Sequence, residues 1–251
     1  MRYWTLLVSA ATIVLGTATG SGTGHAETAK ISDPEKSAIR EIIREYLVEN
    51  PEVIEEAIRA LRSKREAEER AQAQAALSTH QDRLLRHPMT PVSGNPDGKV
   101  TVVEFFDYQC GYCKRSLASM VNLLEADKDV RVVWKELPIL GPESRLAARA
   151  AMAAKNQSKY FEFHIALMGS RGRLSDAKVM SLAKEVGLDV QRLQTDMKDP
   201  AIEAYLDETL QLANALGIRG TPAFVIGDTL VPGAIDEAGM MQLIAKTRAG
   251  G

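Results

Sequence analysis

The sequence predicts an α/β domain preceded by a helical N-terminal segment. Lys99–Phe106 and Val130–Leu137 are short runs rich in β-branched and aromatic residues, which is typical of buried strands. Between them, apolar residues recur at helical spacing from Lys114 to about residue 126, so we expect two parallel strands joined by a helix. Helical periodicity then extends over residues 142–216, which predicts a large helical insertion in this domain.

Residues 1–26 have the pattern of an export signal. Met1 and Arg2 give a basic start, and the apolar run that follows, Tyr3–Gly16, is short for a membrane-spanning helix. Small residues come next, and Gly24-His25-Ala26 fits signal-peptidase cleavage before Glu27. An uncleaved membrane anchor is the alternative interpretation. Export places the protein in a compartment where disulfides persist.

Residues 27–87 are predicted to form a helical segment that joins several copies of the chain. An apolar stripe at helical spacing runs along a stretch, residues 33–86, that is otherwise mostly polar. The stripe consists of Ile39, Ile42, Ile43, Tyr46, Leu47, Val53, Ile54, Ala57, Ile58 and Leu61. Its place at the far end of the stretch favours burial against other copies, and packing on the chain's own globular domain is the alternative. Heptads are not sustained, so no long coiled coil is expected.

Turn residues mark the start of the globular domain. Prolines and glycines recur between His87 and Gly98, so we predict a loop there and a domain over residues 88–251. Late in that domain, Gly220-Thr221-Pro222 precedes a predicted hairpin of residues 223–226 and 229–231. A helix from Glu237 to Arg248 closes the chain.

Composition narrows the possible functions. The net charge of the 251-residue chain is −2, so nothing indicates a nucleic-acid or polyanion partner. The chain has only 2 cysteines, Cys110 and Cys113. An exported chain of this size with one close pair does not use disulfides as structural staples, and is better suited to handling the disulfides of other proteins.

Cys110 and Cys113 stand where the first strand gives way to a helix. A helix N-terminus favours an anion, so Cys110 would ionise readily there, and Cys113, one turn later, is close enough to attack a mixed disulfide on Cys110. This pattern indicates thiol–disulfide exchange. A structural zinc site is an alternative, but the sequence has no second cysteine pair and its 4 histidines are scattered. A structural disulfide is another, although so small a loop would constrain the unfolded chain little.

Taken together, these elements resemble the thioredoxin fold as it is elaborated in the DsbA family. The resemblance covers about residues 95–249 and is carried by Val103-Glu-Phe-Phe-Asp-Tyr-Gln-Cys-Gly-Tyr-Cys113 and by Gly220-Thr221-Pro222. Residues 46–54, Tyr-Leu-Val-Glu-Asn-Pro-Glu-Val-Ile, resemble the N-terminal extension of ScsC-like and Com1-like members. The resemblance implies a periplasmic thiol–disulfide oxidoreductase, and its extension implies a homo-oligomer, which is a trimer in some ScsC proteins.

The resemblance also implies roles for individual residues. Cys110 would be the nucleophile and Cys113 the resolving thiol. Glu104 matches the family's buried acidic residue, whose raised pKa would let it take the proton that Cys113 loses. Exposure of Glu104 to solvent by strand alternation is the alternative.

Four residues are expected to contact the substrate. Pro222 corresponds to the family's cis-proline, beside which Thr221 offers its backbone to a bound peptide. Gly111 and Tyr112, between the cysteines, complete the set. No cofactor and no metal ion are expected.

The dipeptide Gly111-Tyr112 departs from DsbA, which carries Pro-His and has an unusually acidic nucleophile. With no imidazole to stabilise the thiolate, we expect Cys110 to be less acidic than in DsbA and its disulfide to be less oxidising. Gly-Tyr is also the dipeptide of the DsbC isomerases, and an oligomer would offer several active sites to one misfolded substrate.

The sequence therefore favours a disulfide isomerase. Its substrates would be exported proteins that contain cysteines, and a membrane redox partner would maintain it. A DsbA-like dithiol oxidase, a Cu(I)-binding protein of copper stress and a structural or adhesive surface protein are the alternatives.

Overall fold

The computed structural model describes residues 31–250, so the predicted export signal, residues 1–26, lies outside the described residues. The chain divides into two units, one ending at Ala60 and the other beginning at Leu61. Between residues 31 and 250, no helix combines the length and the apolar character that crossing a membrane requires.

The first unit consists of helix α1, Asp33–Glu49, and the beginning of helix α2, Glu52–Thr79. Helix α1 starts where the carboxylate of Glu35 accepts a hydrogen bond from the Ser32 amide at 2.8 Å, which satisfies a backbone donor at the helix end. Helix α1 buries none of its residues. Most of the predicted apolar stripe is accordingly exposed, including Ile39, Ile42, Ile43, Tyr46, Ile54 and Ile58.

The second unit is built on a five-stranded sheet with the strand order β1–β3–β2–β4–β5. Strands β2, Val100–Phe106, and β3, Val130–Glu136, are parallel neighbours, as predicted, and helix α4, Gly111–Ala126, joins them. The hairpin of β4, Ala223–Ile226, and β5, Thr229–Pro232, lies antiparallel on the other side of β2. Strand β2 is therefore central, and the cysteines follow it directly.

One strand lies where the sequence predicted only a loop. Strand β1, Val92–Gly94, pairs antiparallel with β3 at the edge of the sheet. The indole nitrogen of Trp134 donates a hydrogen bond to Ser93 Oγ at 2.9 Å, which attaches β1 to the sheet through side chains as well. A strand of 3 residues among prolines and glycines is too short to show a periodicity of its own.

The predicted helical insertion is confirmed. Its helices are α5, Pro142–Ala154; α6, Tyr160–Gly169; α7, Asp176–Glu185; α8, Val190–Asp196; and α9, Pro200–Ala215, with a short 3-10 turn at Lys155–Gln157. Helix α10, Glu237–Ala249, closes the described chain. Several of these helices begin at a residue whose side chain accepts a hydrogen bond from a first-turn amide, namely Ser175, Asp189, Asp199 and Asp236.

Alternation along the strands divides the core into two clusters, one on each face of the sheet. Val102, Phe106 and Trp134 belong to the cluster that also contains buried residues of helices α4, α5, α6 and α10. Val103 and Phe105 point to the opposite face, where they belong to a cluster with Leu212 and Ala213 of helix α9. Both faces are apolar because both are covered.

The second unit begins earlier than the predicted domain boundary at residues 87 and 88. Leu77, at the end of α2, and Leu84, in helix α3, Gln81–Leu85, are buried in the cluster that contains Val103 and Phe105. The buried ammonium of Lys135 also donates to the Arg83 carbonyl at 2.7 Å. The turn residues after His87 do mark a loop, but the apolar residues just before it complete the core.

The substitution Leu84→Ala tests this revised boundary. Because the side chain is buried against the sheet, we expect a loss of about 2–5 kcal/mol in the free energy of unfolding, measured by urea denaturation. Leu210→Ala, at an exposed position on α9, is the matched control and should change stability by about 0.5 kcal/mol or less. Equal, small losses in the two variants would contradict the placement of residue 84 in the core.

Candidate active site

The first turn of helix α4 positions both cysteines. Strand β2 ends at Phe106, and a turn closed by a hydrogen bond from the Cys110 amide to the Asp107 carbonyl, 3.0 Å long, leads into the helix. Cys110 is the N-cap residue, and its sulfur accepts a hydrogen bond from the Cys113 amide at 3.4 Å. The Cys110 sulfur therefore occupies the place where unpaired helical amides and the helix dipole stabilise negative charge.

Cys110 is the acidic thiol of the pair. Burial opposes its ionisation, but hydrogen bonds from the Thr221 side chain and from the backbone amides of Cys113 and Tyr112 favour the thiolate, so the pKa of Cys110 is lowered. In the thiol form, the Cys110 sulfur donates to the Thr221 carbonyl at 3.2 Å. The side chain can thus be held in either protonation state.

Cys113 has the opposite character. It is buried, and burial, together with the negative charges that Glu104 and Cys110 would carry, raises the pKa of its thiol far above the usual range. Both cysteines are free thiols in this structure. The two sulfurs are thus chemically distinct: one ionises readily at the helix end, and the other holds its proton inside the protein.

Glu104 is buried in the middle of strand β2, with 3% of its surface exposed. It lies between Trp134 of β3 and Phe224 of β4 in the sheet register, on the same side of the strand as Val102 and Phe106. Burial, reinforced by the charge of Cys110, raises the pKa of this carboxyl to about 8. The alternative that strand alternation turns Glu104 to solvent is therefore wrong.

The loop before strand β4 lies against Cys110. The peptide bond between Thr221 and Pro222 is cis, as predicted. The Pro222 carbonyl accepts a hydrogen bond from the Gly233 amide at 2.9 Å, which attaches this loop to the end of the hairpin. The Thr221 backbone thus lies beside the reactive sulfur at a fixed position.

Gly111 and Tyr112 face outwards at the start of α4. Tyr112 is 60% exposed, and the guanidinium carbon of Arg115 lies 4.1 Å from the centre of its ring, a cation–π contact. A Cβ atom placed on Gly111 would meet only the end of the flexible Arg115 side chain. Both residues are exposed and directly follow Cys110 in the chain.

The structure also reveals a cluster of buried polar groups, beginning at Tyr108, that the sequence did not single out. Tyr108 donates to Glu136 at 3.0 Å, and Tyr160 donates to the same carboxyl oxygen at 2.8 Å. Burial raises the pKa of Glu136 well above its usual value. His164, 3.1 Å from the Tyr108 hydroxyl, has its pKa lowered to about 3 by burial, so the imidazole is neutral.

Lys114 and Asp107, which flank the cysteines, were also missed. The ammonium of Lys114 donates to backbone carbonyls at the end of α6, including that of Ser170 at 2.8 Å. Asp107 is buried directly after β2, and its position at the end of an apolar strand was the available signal. Among residues 31–250, no group of three or more His, Cys, Asp or Glu side chains is arranged to hold a metal ion.

Family comparisons match both parts of the chain. Residues 101–245 match the family of DSBA-like thioredoxin domains, and residues 35–68 match the N-terminal domain of the copper resistance protein ScsC. The second match falls on the exposed apolar stripe, which lies within the predicted N-terminal extension.

Solved structures of thioredoxin-like and ScsC proteins also match this chain. A thioredoxin-like oxidoreductase from Silicibacter pomeroyi DSS-3 is 48% identical, covers 67% of this chain and 97% of its own, and superposes with a TM-score of 0.65. ScsC of Proteus mirabilis in a transitional conformation is 32% identical, and the match covers 89% of this chain and 99% of the ScsC chain, with a TM-score of 0.66. A periplasmic thioredoxin-like protein from Salmonella enterica serovar Typhimurium is 29% identical. The match covers 67% of this chain and 95% of the Salmonella protein, with a TM-score of 0.62.

Curated relatives of a different kind also match. The Na(+)/H(+) antiporter NhaA 1 of Salinispora arenicola is 29% identical over 161 residues, which make up 63% of this chain. This chain spans about a quarter of the length of that relative, since the match covers 25% of the antiporter. The antiporter name therefore describes a much longer protein.

The raised pKa of Glu104 predicts how the stability of a Glu104→Gln variant depends on pH. A carboxyl group whose pKa is raised by folding destabilises the folded state. This effect grows as the pH rises from the pKa of the group in the unfolded chain, 4.5, to its pKa in the folded protein, about 8. Removing the group in Glu104→Gln should change stability little at about pH 4 and should increase it by a few kcal/mol at about pH 8. Urea denaturation of the reduced protein at both pH values measures this difference.

Glu41→Gln, on exposed helix α1, provides the control for the same chemical change. The effect of Glu104→Gln is compared with the effect of this variant at each pH. A Glu104→Gln effect that is the same at both pH values would show that the carboxyl titrates normally in the folded protein.

Proposed function

Because this chain belongs to the family of DSBA-like thioredoxin domains, we propose that it is a disulfide isomerase of misfolded exported proteins, working in the periplasm. Family membership makes the chain a thiol–disulfide oxidoreductase; isomerisation is the finer assignment. The observation that carries the proposal is the contrast between the two thiols: Cys110 caps helix α4, where its pKa is lowered, whereas Cys113 is buried and its pKa is raised. A thiolate that attacks easily and a resolving thiol that reacts slowly suit a reaction that needs a lasting mixed disulfide.

The first step is attack by the Cys110 thiolate on one sulfur of a wrong disulfide. A bond forms between Cys110 and that sulfur, the substrate's S–S bond breaks, and the second substrate sulfur leaves as a thiolate. This thiolate attacks another disulfide in the same substrate, and a substrate thiolate finally displaces Cys110. The cycle returns Cys110 as a thiolate and consumes no electrons.

A substrate that fails to rearrange is released by Cys113. Cys113 passes its proton to the ionised carboxylate of Glu104 and attacks the Cys110 sulfur, so that the reduced substrate leaves and a Cys110–Cys113 disulfide forms. The pKa of about 8 for Glu104 supports this role, because such a carboxyl can accept a proton and lose it again near neutral pH. Two electrons from a membrane redox partner would then reduce the Cys110–Cys113 disulfide.

The surface around Cys110 would hold the substrate chain. Thr221 and the cis Pro222 lie beside the sulfur, and a bound peptide would pair with the Thr221 backbone. Tyr112 adds an exposed aromatic surface in the first turn of α4, and Gly111 leaves space for the peptide because it has no side chain. We assign these residues to substrate binding.

The N-terminal unit would join several catalytic units into one molecule. Its apolar stripe is exposed along a helix that buries none of its residues, and a second copy of the same stripe is the simplest cover for it. The match to the ScsC N-terminal domain supports this assignment, and a trimer would follow the ScsC proteins. Several active sites in one molecule raise the local concentration of thiolate around a bound misfolded chain.

Export would use residues 1–26, with cleavage before Glu27. The periplasmic location named for the Salmonella relative supports the proposed compartment.

Two alternatives keep specific support. Oxidation of reduced substrates would run the same chemistry from the Cys110–Cys113 disulfide, with the membrane partner accepting two electrons. Binding of Cu(I) by the two sulfurs is favoured by the match to a domain named for copper resistance, since thiolates suit Cu(I).

The paired substitution Ile42→Ser and Ile43→Ser tests the role of the stripe. We expect the variant to lose oligomers in light scattering and to reshuffle a scrambled-disulfide substrate about tenfold more slowly. Its reaction with a small disulfide should stay within about twofold, because the catalytic unit is unaltered. Glu41→Ser, at the residue just before Ile42 and on the polar side of α1, is the matched control and should retain both properties.

The single substitution Cys110→Ser should abolish exchange with both substrates while leaving the oligomer intact. A monomeric stripe variant that still reshuffles at the original rate would contradict the isomerase assembly. A protein that only oxidises reduced substrate, with or without the stripe, would instead support the oxidase.

A further inference from the structure

Lys114 follows Cys113 directly, and the chemistry proposed above gives it no role. Its ammonium group is partly buried and donates hydrogen bonds to three backbone carbonyls, those of Leu167 at 3.3 Å, Met168 at 3.2 Å and Ser170 at 2.8 Å. An ammonium group has three N–H donors and no acceptor, whereas a neutral amine would turn a lone pair towards one of these oxygens. The three contacts therefore require the charged form of Lys114.

The three carbonyls lie at the C-terminal end of helix α6. The last carbonyls of a helix have no partner within that helix, and together with the helix dipole they carry a partial negative charge. Helices α4 and α6 pack against each other, and the contacts of Lys114 bring the negative end of α6 towards the first turn of α4. The Cys110 thiolate forms at that turn, so an unscreened end of α6 would oppose its ionisation.

Lys114 links the end of α6 to the turn of the nucleophile. The Lys114 amide donates to the Cys110 carbonyl at 3.0 Å, so its backbone belongs to the helical turn that Cys110 caps. Burial lowers the pKa of Lys114, and the negative charges of Asp107, Cys113 and Cys110 act in the opposite direction. The interaction between two charges is mutual, so the ammonium group also favours the thiolate.

Other ionisable groups belong to the elements around Lys114. Asp107, directly after β2, and Glu104, within β2, contribute negative charge when they are ionised. On α4 itself, the guanidinium group of Arg115 lies over an exposed aromatic ring. On α6, His164 is neutral because burial lowers its pKa to about 3. Lys114 differs from Arg115 because three hydrogen bonds hold its charge at a fixed place.

We infer that Lys114 is a positioning residue for thiol–disulfide exchange, whose ammonium group holds the end of α6 and screens the Cys110 thiolate from the negative charge of that end. The inference goes beyond the isomerase proposed above, because it rests on exchange at Cys110 in either direction. Gly111 and Tyr112 place no imidazole between the cysteines, and Lys114 supplies a positive charge from the residue that follows them.

The test measures alkylation of the full reduced chain by iodoacetamide as a function of pH, with each cysteine followed by mass spectrometry. Lys114→Met keeps a long side chain and removes its charge. We expect the midpoint for Cys110 to rise by about half a unit to one unit, because the thiolate loses a nearby cation and faces the unscreened end of α6. A midpoint equal to that of the original protein would overturn the inference.

Lys128→Met is the matched control. Lys128 also binds a carbonyl at a helix end, that of Leu124 at 3.0 Å, but it lies just after the C-terminal end of α4, many residues from the cysteines. Solvent and salt screen an exposed charge at that distance, so the Cys110 midpoint should change by about 0.2 unit or less. Equal shifts in Lys128→Met and Lys114→Met would overturn the inference.

Two further variants separate the charge of Lys114 from its hydrogen bonds. Lys114→Arg keeps the charge and should restore most of the original midpoint. Lys114→Gln keeps an N–H donor without the charge, so its midpoint should rise as it does in Lys114→Met. An original midpoint in Lys114→Gln would show that α6 needs only a neutral donor, and it would overturn the inference.

The rate of reaction with hydroxyethyl disulfide, a small uncharged probe, gives a second signature. A thiolate of higher pKa is scarcer at low pH but more nucleophilic. Lys114→Met should therefore react about twofold to threefold more slowly below the midpoint and somewhat faster well above it. A loss of rate at every pH would indicate a structural defect and would overturn the inference, and no reaction by the original protein would overturn the exchange chemistry itself.

One measurement requires no variant and therefore does not depend on the folding of Lys114→Met. In the unsubstituted reduced protein, the nuclear magnetic resonance of the Lys114 Cε carbon should move with pH at the midpoint of Cys110, because the two charges interact. A resonance that stays constant through that midpoint would overturn the inference.

Discussion

The N-terminus of helix α4 is the feature on which the chemistry of this molecule depends. The Cys110 sulfur lies at the helix end, where the Cys113 amide and the Thr221 loop favour its charge, while Cys113 is turned into the core one helical turn later. The same backbone turn therefore gives two identical side chains opposite tendencies to ionise. A helix that began one residue earlier or later would move both sulfurs out of these environments.

The sheet encloses ionisable side chains near the active site, and their burial lowers the stability of the folded protein. Strand β2 lies in the middle of the sheet and both of its faces are covered, so Glu104 is enclosed and its pKa is raised to about 8. Glu136 and Lys135, at the end of the neighbouring strand, are also buried. Two tyrosine hydroxyl groups donate hydrogen bonds to Glu136. Lys135 donates to the Arg83 carbonyl and the Thr90 hydroxyl. Such groups favour a well-defined arrangement over maximum stability, because a buried polar group that loses its partners is costly.

Much of this arrangement could be predicted from the sequence, because the signals are local. Runs of β-branched residues predicted strands β2 and β3, and apolar residues at helical spacing predicted the helical insertion. The Cys-x-x-Cys motif at a strand–helix junction predicted the positions of the two thiols. The burial of Glu104 could only be proposed, since alternation allows either face and the decision lies with the helices that cover the sheet.

The features that escaped prediction depend on contacts between distant segments. The Asp107 carboxyl accepts three of its four hydrogen bonds from residues 32 to 37 positions further along the chain, and Tyr108 reaches His164 across 56 positions. The early start of the second unit was missed for the same reason: Leu77 and Leu84 end a polar stretch, and only their contact with strand β2 makes them part of the core.

The pH dependence of alkylation at each cysteine of the reduced protein, followed separately by mass spectrometry, tests the central claim most directly. The contrast between the two thiols predicts that Cys110 reacts with a midpoint below 9.0, the ordinary value, and that Cys113 remains unreactive until the pH is far higher. A common midpoint for both cysteines, or a midpoint for Cys110 above the ordinary value, would contradict it.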